Sequence, residues 1–457
     1  MQLLSSAAVR RAISRLSLVS LAVLPAPCAA QATPTAPPAS GPLTLRQVFD
    51  LAASQPLLQA ARARVRAAGG SRATAGAFGN PVLSYQVENA PLSANTAPSV
   101  DREVTTTALL PLEPLYQRGP RVQRADAAVR AAGADVVSTR QRLLVDAARA
   151  YHRTGVAQEG AAVARDLLAW LDSLVSYNRA RAREGAAAEA DLLRAELERD
   201  RAEADLAMQE ADLARARADL AVYVGDEGTR HGARRVTAIT APFTMPVGAN
   251  QVAVPDSADR LRVIHALAVR ADVRGARERV TAAEAGVSGE RAMLVRQLRA
   301  TVGTRSGAGN TYVVAGLSVP LPLFDRNRGE IERASGERDA ALLELAATER
   351  GVRADVVGAF DAAQVLTARA GSLARPDSSG TVAFLAKADE ARRIALGAYR
   401  EGAIPLIQVL DAARAWGDSH ATYVRLIAAQ RDSIVALLAA LGVDLATWDM
   451  STLHASR

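Results

Sequence analysis

Several residue types that build reactive centres are scarce in this 457-residue sequence. It has one cysteine and five methionines, so no disulfide framework and no zinc or iron–sulfur site made from several sulfurs is possible. Its five histidines are scattered without metal-ligand spacing, and its methionines do not cluster. It lacks a phosphate-binding loop, a dinucleotide-binding fingerprint and a nucleophile elbow. The sequence therefore predicts no enzyme activity, no metal centre and no cofactor.

Aromatic residues and lysine are also rare. Aromatic residues make up 4% of the chain, and the only lysine is Lys387, so the formal charge of +7 comes almost entirely from arginine. A basic balance of this kind is compatible with a nucleic-acid or anionic-lipid partner. The N-terminal segment changes this interpretation.

Residues 1–30 are predicted to be a signal peptide. Three arginines precede a short apolar run, Leu16–Leu24, and small residues follow at the two recognition positions of a signal peptidase. Cleavage before Gln31 removes the three arginines, no acidic residue and the single cysteine, so the mature charge falls from +7 to +4. An exported protein of modest charge is not expected to bind nucleic acid.

Two alternatives for this leader remain open. The apolar run is shorter than the roughly 20 residues of a spanning helix, which disfavours a retained membrane anchor. Lipidation would make Cys28 the first mature residue, although Pro25 and Pro27 depart from the residue types usual before a lipidated cysteine. The proline-rich residues 31–42 that follow are predicted to form an extended tail.

The mature sequence is predicted to contain a duplication. Three short segments recur in the same order at offsets of 215, 209 and 217 residues. The matched pairs are Ala61–Ala68 with Ala276–Ala283, Leu110–Leu112 with Val319–Leu321, and Arg183–Ala186 with Arg400–Ala403. This order predicts repeats at 43–225 and 258–446, a linker at 226–257 and a C-terminal tail at 447–457.

Each predicted repeat contains one β-hairpin. Leu83, Tyr85 and Val87 alternate with polar residues, and a second alternating run follows at 104–112. The second repeat has the same pattern at 297–302 and 313–319. Strands of about ten residues have the length of a tilted transmembrane strand. Four strands cannot close a barrel, because the smallest barrels need about eight, so a membrane-spanning form would have to self-associate.

The remaining sequence is predicted to be helical. Helix-forming segments at 44–75 and 258–295 precede the hairpins, and much longer ones follow them, with breaks expected around Thr154–Gly160 and Gly371–Gly380. Forty helical residues extend about 60 Å, which is longer than an ordinary domain core. Heptad positions predicted to be helix seams are Leu192, Leu206, Leu213, Leu220, Val409, Trp416 and Tyr423.

Two sets of residues are expected at turns and junctions. Gly185 and Gly402 each separate two helical runs, so each is predicted to adopt the left-handed conformation that ends a helix. Proline is tolerated at a strand end and in the first turn of a helix, so prolines are predicted to mark the passage from sheet to helix. These junction prolines are Pro111, Pro114, Pro320 and Pro322.

The segment Val319–Ile331, the helix opening at Leu43–Leu45 and the doubled helix–hairpin–helix order resemble TolC-type outer-membrane efflux proteins. The first segment is most similar to the CzcC-like cation-efflux branch. The resemblance implies a mostly α, α+β fold, in which a long α-helical coiled-coil barrel continues from a trimeric transmembrane β-barrel with four strands per chain. It also implies a homotrimer in the outer membrane, with its helical tunnel in the periplasm.

The same resemblance implies a function and partners. The chain would be the exit duct of a tripartite efflux system, working with a periplasmic adaptor and an inner-membrane RND-type pump to export small molecules or metal cations. The alternative is a soluble periplasmic coiled-coil structural or adaptor protein whose hairpins pack on its own helices. An adaptor would carry additional small β-domains, for which the sequence has no pattern.

Candidate gate residues follow from the resemblance at the two glycine turns, which correspond to the periplasmic tip. Tyr399 resembles the gate tyrosine, Asp191 its aspartate partner, and Asp411 one member of an acidic ring. Ile404 and Gln408 depart from the family pattern, which expects an arginine and a second acid there. The open alternative is that Asp191 and Asp411 are solvated residues at helix starts, favoured there by the helix dipole.

Two arginines are expected in the channel lumen. Arg299 and Arg305 are predicted on the lumen-facing side of the third strand. They would either bias passage towards anions or solvate the channel.

Overall fold

The computed structural model describes residues 42–90, 102–225, 259–376 and 380–446. The predicted signal peptide, the linker, the C-terminal tail and nearly all of the proline-rich tail lie outside the described residues. Within the described residues the chain forms nine helices and four strands. In chain order they are α1 (Leu45–Ala52), α2 (Pro56–Gly76), β1 (Val82–Glu88), β2 (Glu103–Pro111), α3 (Pro114–Arg183), α4 (Glu189–Val224), α5 (Asp259–Val269), α6 (Ala271–Ala292), β3 (Arg299–Gly307), β4 (Asn310–Ser318), α7 (Arg328–Leu373), α8 (Ala383–Arg400) and α9 (Leu406–Ala440).

The four strands form one antiparallel sheet in the order β1-β2-β3-β4. The central pair, β2 with β3, joins the hairpin of the first half of the chain to that of the second. The outer edges of β1 and β4 have no strand partner among the described residues. The predicted hairpins are confirmed.

The pairing register separates the sheet into two chemically different faces. Every charged residue of the strands lies on one face, which we call the charged face; these residues are Glu88, Glu103, Arg299 and Arg305. The opposite, uncharged face consists of Leu83, Tyr85, Val87, Val104, Thr106, Ala108, Leu110, Ala300, Val302, Thr304, Ser306, Thr311, Val313, Ala315 and Leu317. The alternation predicted from the sequence is therefore confirmed, because successive strand residues point to opposite faces.

Helix α3 is continuous over 70 residues, or about 105 Å. The break expected around Thr154–Gly160 is absent, so that prediction was wrong. The Thr154 hydroxyl donates to the carbonyl oxygens of Ala150, at 2.8 Å, and of Ala216 on α4, at 3.1 Å. A Cβ on Gly160 would lie 2.8 Å from Oε1 of Gln209 on α4. Residues that weaken a helix locally are here the sites of close contact with α4.

The break expected in the second half is confirmed, since α7 ends at Leu373 and α8 begins at Ala383. The segments expected to be single helices at 44–75 and 258–295 are each divided, which corrects the prediction. Pro56 begins α2 because its ring suits the first turn of a helix and not its interior. The second division falls at Arg270, whose guanidinium pairs with Asp272 and Asp355.

Several separate apolar clusters lie along the helices. The predicted heptad positions contribute to them: Leu213, Leu220, Val409, Trp416 and Tyr423 are buried, and Leu192 and Leu206 are half-buried. Alanine is the commonest buried residue type, which allows neighbouring helices to approach closely. No helix in the described part of the chain is both long and apolar enough to cross a membrane.

Candidate functional site

The two glycine turns have the same backbone structure. Gly185 and Gly402 have φ angles of 68° and 79°, so the predicted left-handed conformation is confirmed. In each turn the glycine N–H donates to the carbonyl three residues earlier, and the next N–H donates to the carbonyl five residues earlier, at 2.8 Å. This pair of hydrogen bonds is the Schellman motif, which satisfies the last carbonyls of a helix. The turns connect α3 to α4 and α8 to α9.

A buried cluster lies beside these turns, where the four helix ends meet. Tyr399, near the end of α8, is 5% exposed, and its hydroxyl donates to Oδ1 of Asn178 on α3. Asn178 is fully buried, and its amide nitrogen donates to the carbonyl oxygen of Leu174 at 2.9 Å. The ring of Tyr177 meets that of Tyr399 edge to face, with centroids 6.2 Å apart. One interhelical hydrogen bond therefore joins α3 to α8.

The expected bond between Tyr399 and Asp191 is not formed, which corrects the predicted partner. Asp191 is the third residue of α4, and its carboxylate forms no hydrogen bond or ion pair with a described residue. Its position in the first helical turn suits the helix dipole, as the alternative interpretation expected. Burial raises the pKa of Tyr399, nearby Arg181 opposes the increase, and the negative charge of Asp191 adds to it. Asp191 therefore lies near Tyr399 without a hydrogen bond to it.

Arginines cover the aromatic pair. The Arg181 guanidinium carbon lies 5.6 Å from the centroid of the Tyr177 ring and 5.8 Å from that of Tyr399. Arg400 lies 5.8 Å from the Tyr177 centroid. Cations at these distances are attracted to the ring faces. Sequence reasoning missed Tyr177, Asn178 and Arg181. The available signal was their spacing of three and four residues, which places them on one face of α3 just before the Gly185 turn.

A second contact fixes the position of α8. The guanidinium of Arg392 lies 3.9 Å from the ring centroid of Trp416 on α9 and 5.8 Å from that of Trp170 on α3. The indole N–H of Trp416 donates to Oδ1 of Asp389 at 2.5 Å. Burial lowers the pKa of Arg392 from its ordinary value, and the charge of Asp389 opposes this shift. These contacts connect α8 with α3 and α9 on the same helix that carries Tyr399.

Asp411 belongs to a charge network between α9 and α4. Its carboxylate lies 3.2 Å from Nη1 of Arg414, which also pairs with Glu198 on α4. The side chain of Glu198 is 15% exposed and binds Arg201 as well, at 2.8 Å. Asp411 is the sixth residue of α9 and lies beyond the first turn, so the helix-start alternative does not describe it. Arg414 compensates the negative charge expected of an acidic ring.

The resemblance implies a channel, and for such a channel we expect the substitution Arg414→Gln to increase cation selectivity. It leaves the carboxylates of Asp411 and Glu198 without their shared cation and restores negative charge near the tip. The measurement is the reversal potential of the protein in a planar bilayer under a salt gradient. Arg393→Gln is the matched control, because Arg393 pairs with Glu390 on the exposed side of α8. An equal shift in both variants would contradict a local role.

The junction prolines lie between sheet and helix. Pro111 is the last residue of β2 and Pro114 the first residue of α3, whereas Pro320 and Pro322 lie between β4 and α7. A proline in the first helical turn removes no intrahelical hydrogen bond.

The two candidate lumen arginines differ in their contacts. On the charged face of the sheet, Arg305 pairs with Glu103, its Nε lying 2.8 Å from Oε2, and Arg299 makes no ion pair with a described residue. Among the described residues, no group of three histidine, aspartate or glutamate side chains could hold a metal ion.

Solved structures of several outer-membrane channels share this fold. VceC of Vibrio cholerae is 21% identical, with a TM-score of 0.70 over 87% of this chain and 96% of VceC. CmeC of Campylobacter jejuni is 15% identical, with a TM-score of 0.71 over 89% of this chain and 88% of CmeC. CusC is 18% identical, with a TM-score of 0.70 over 88% and 92% of the two chains.

No curated protein sequence matches the chain. The sequence profile of a family described as "outer membrane efflux protein" matches residues 49–226 and 264–443, which is more than half of the chain. The matched segments contain the two helix–hairpin–helix halves and both glycine turns. The chain therefore belongs to the outer membrane efflux protein family, and its mostly helical fold with a four-stranded sheet is that of TolC-like channels in the outer membrane.

Proposed function

We propose that three copies of the chain form the exit duct of a tripartite efflux system. The open sheet carries the proposal, because the outer edges of β1 and β4 have no strand partner in the part of the chain that the structure describes, and one face of the strands is free of charge. An open edge in lipid leaves backbone groups unpaired, which costs several kcal/mol for each group. Twelve strands from three copies close the edges and exceed the roughly eight strands of the smallest barrels. The charged face then lines a water-filled lumen.

The helices continue the duct into the periplasm. Helix α3 runs from the sheet to the Gly185 turn, about 105 Å away. The cluster around Tyr399 lies at that far end and forms the gate, with the glycine turns as the surface for a periplasmic adaptor. The division into repeats at 43–225 and 258–446 is part of this proposal, and the two matched family segments support it. Transport needs no catalytic residue in this chain.

Cross-linking tests the trimer directly. Removal of the predicted leader leaves a chain without cysteine, so introduced cysteines are unique. We expect Ser84→Cys on β1, combined with Val314→Cys, Gly316→Cys or Ser318→Cys on β4, to give covalent dimers and trimers on oxidation. In the control, Thr107→Cys on β2 replaces Ser84→Cys in each pair. It should give no cross-link between copies, because β2 has strand partners on both sides. Monomers alone with all three β4 cysteines would contradict the closed ring.

The exported substrate is proposed to be a metal cation. The support is the similarity of Val319–Ile331 to the CzcC-like branch, and the cation would be delivered by an RND-type pump in the inner membrane. A strain that lacks the protein is then expected to lose tolerance to divalent transition metals and to regain it on complementation. Unchanged metal tolerance with new sensitivity to organic toxins would assign small organic molecules as the substrate class.

The alternative of a soluble periplasmic adaptor is set aside, because an outer-membrane location follows from the family.

A further inference from the structure

The apolar alternation of β4 does not stop where the strand ends. On the uncharged face it includes Val313 and Leu317, and the same odd-numbered series continues through Val319, Leu321 and Leu323 in the coil that follows. Leu321 is 72% exposed and Leu323 68%. The next side chain, Phe324, is fully exposed. Exposed apolar residues therefore continue past the end of β4, in the coil that leads towards the helices.

At the helix-side ends of the strands, each of the four segments that enter or leave the sheet exposes apolar side chains. Pro111, Arg299 and Ser318 pair across the sheet, so β2 and β4 end where β3 begins. The coil before β1, the start of α3 and the turn before β3 each expose a large apolar residue at this level. We call the whole set the junction belt; it consists of Phe78, Leu115, Leu294, Leu321, Leu323 and Phe324.

The longest part of the belt is held in a fixed conformation. It is followed by Asn327, which is 3% exposed and has a φ angle of 56°. The side-chain nitrogen Nδ2 of Asn327 donates to the backbone carbonyl oxygen of Glu290 at 2.8 Å. The side-chain oxygen Oδ1 of Asn327 accepts from Arg296 at 2.6 Å. Arg296 also pairs with Asp325 at 3.3 Å. The exposed leucines and Phe324 therefore belong to an anchored segment.

The strands lie at the short end of the roughly 9–11 residues of a tilted transmembrane strand. The longest strands have nine residues, which is about 30 Å along the strand and about 23 Å after a tilt of about 40°. Strand β1 has seven residues. The apolar band of an outer-membrane barrel is about 25 Å tall. The strands therefore leave this band slightly short, and the junction belt adjoins their ends on the helix side.

Positive charge borders the belt on the helix side. Arg326 and Arg328 follow shortly after Phe324, with Asp325 between Phe324 and Arg326 paired to Arg296. Both arginines are exposed, and neither pairs with a described residue. Guanidinium groups bind phosphate oxygens with two parallel hydrogen bonds. From the membrane interior towards the periplasm, lipid acyl chains are followed by phosphate groups. The chain has the matching order, with apolar side chains followed by arginines.

We propose that the junction belt is embedded in the periplasmic leaflet of the outer membrane, with Arg326 and Arg328 bound to phospholipid phosphates. The belt makes the membrane-embedded part of the protein taller than its strands. The proposal depends on the outer-membrane location and not on the pump, the adaptor or the exported substrate.

Depth-dependent quenching tests the position of the belt. The full-length protein carrying Phe324→Cys is labelled with an environment-sensitive fluorophore and reconstituted in phosphatidylethanolamine–phosphatidylglycerol vesicles that contain spin-labelled lipid. We expect quenching equal to that of Leu317→Cys, on the uncharged face of β4. Leu343→Cys, exposed on α7, is the control and should not be quenched. An unquenched but apolar signal from Phe324→Cys would place a second copy over the belt, and an unquenched aqueous signal would leave it in water; either result overturns the proposal.

Lipid retention tests the arginines. We expect Arg326→Gln/Arg328→Gln to retain phosphatidylglycerol about tenfold more weakly in native mass spectrometry, because each arginine near an anionic surface contributes several-fold in affinity. Arg338→Gln/Arg353→Gln on α7 is the charge-matched control and should retain lipid normally. Equal retention by both variants would overturn the phosphate contact.

Discussion

Replacing Gly303 by alanine is expected to prevent assembly of the channel. The new Cβ would lie 2.1 Å from the carbonyl oxygen of Thr106 and 2.7 Å from Cα of Thr107, both in the backbone of β2. A backbone atom cannot rotate away, so the clash should exceed the ~1–3 kcal/mol that is typical of overpacking. The measurement is the amount of stable oligomer in outer-membrane fractions on semi-native gels, where we expect a loss of more than about tenfold.

Gly316 provides the control for this substitution. It lies on β4, on the same face of the sheet, and a Cβ there meets no atom within 4 Å. Gly316→Ala should therefore assemble normally. The β2–β3 pair joins the two hairpins, so a clash at Gly303 acts on the whole four-stranded unit. A normal oligomer yield for Gly303→Ala would contradict this requirement for close approach between the two strands.

Local rules predicted the strands and turns of this chain well. The alternation around Leu83–Val87 depends on neighbours two residues apart, and the turns depend on a glycine that ends a helix. The unbroken course of α3 was not predictable in the same way. Thr154 and Gly160 weaken an isolated helix, and only their contacts with Ala216 and Gln209 on α4 give them a place in a continuous one.

The candidate site shows the same limit. Tyr399 was predicted by resemblance, but its partner Asn178 lies 221 residues earlier in the chain. Their bond depends on the rotation of α3 against α8, which no local pattern determines. The contact of Arg392 with Trp416 fixes α8 and was equally invisible in the sequence. Asp191 was assigned a partner by analogy, and the structure gives the tyrosine a neutral acceptor instead.

A neutral lock has different physical properties from a charged one. A hydrogen bond between the hydroxyl of Tyr399 and the amide of Asn178 carries no net charge, so salt should screen it little. Because the pKa of Tyr399 is raised, the hydroxyl keeps its proton throughout the physiological pH range. The gate we propose should therefore stay closed over a wide range of salt and pH. Ile404, in place of an arginine, adds no ion pair to this hydrogen bond.

We expect the substitution Tyr399→Phe to open the channel. It removes the hydroxyl and leaves Oδ1 of the fully buried Asn178 without a donor. A buried unsatisfied acceptor costs about 1–3 kcal/mol, which shifts the balance between closed and open tips by about 5- to 150-fold. Single-channel recording in planar bilayers should detect a larger conductance or a longer open time. The phenylalanine ring preserves the packing against Tyr177, so the effect isolates the hydrogen bond.

Asp191→Asn and Asn178→Ala distinguish the neutral lock from a charged one. Asp191→Asn should change the conductance little, because its carboxylate accepts no hydrogen bond from a described residue. Asn178→Ala should open the channel as Tyr399→Phe does, and the double variant should conduct no more than either single variant, since both remove one bond. A strong opening by Asp191→Asn, weakened by salt, would instead assign the lock to the aspartate. Additive effects of Tyr399→Phe and Asn178→Ala would show that Tyr399 and Asn178 act through separate contacts.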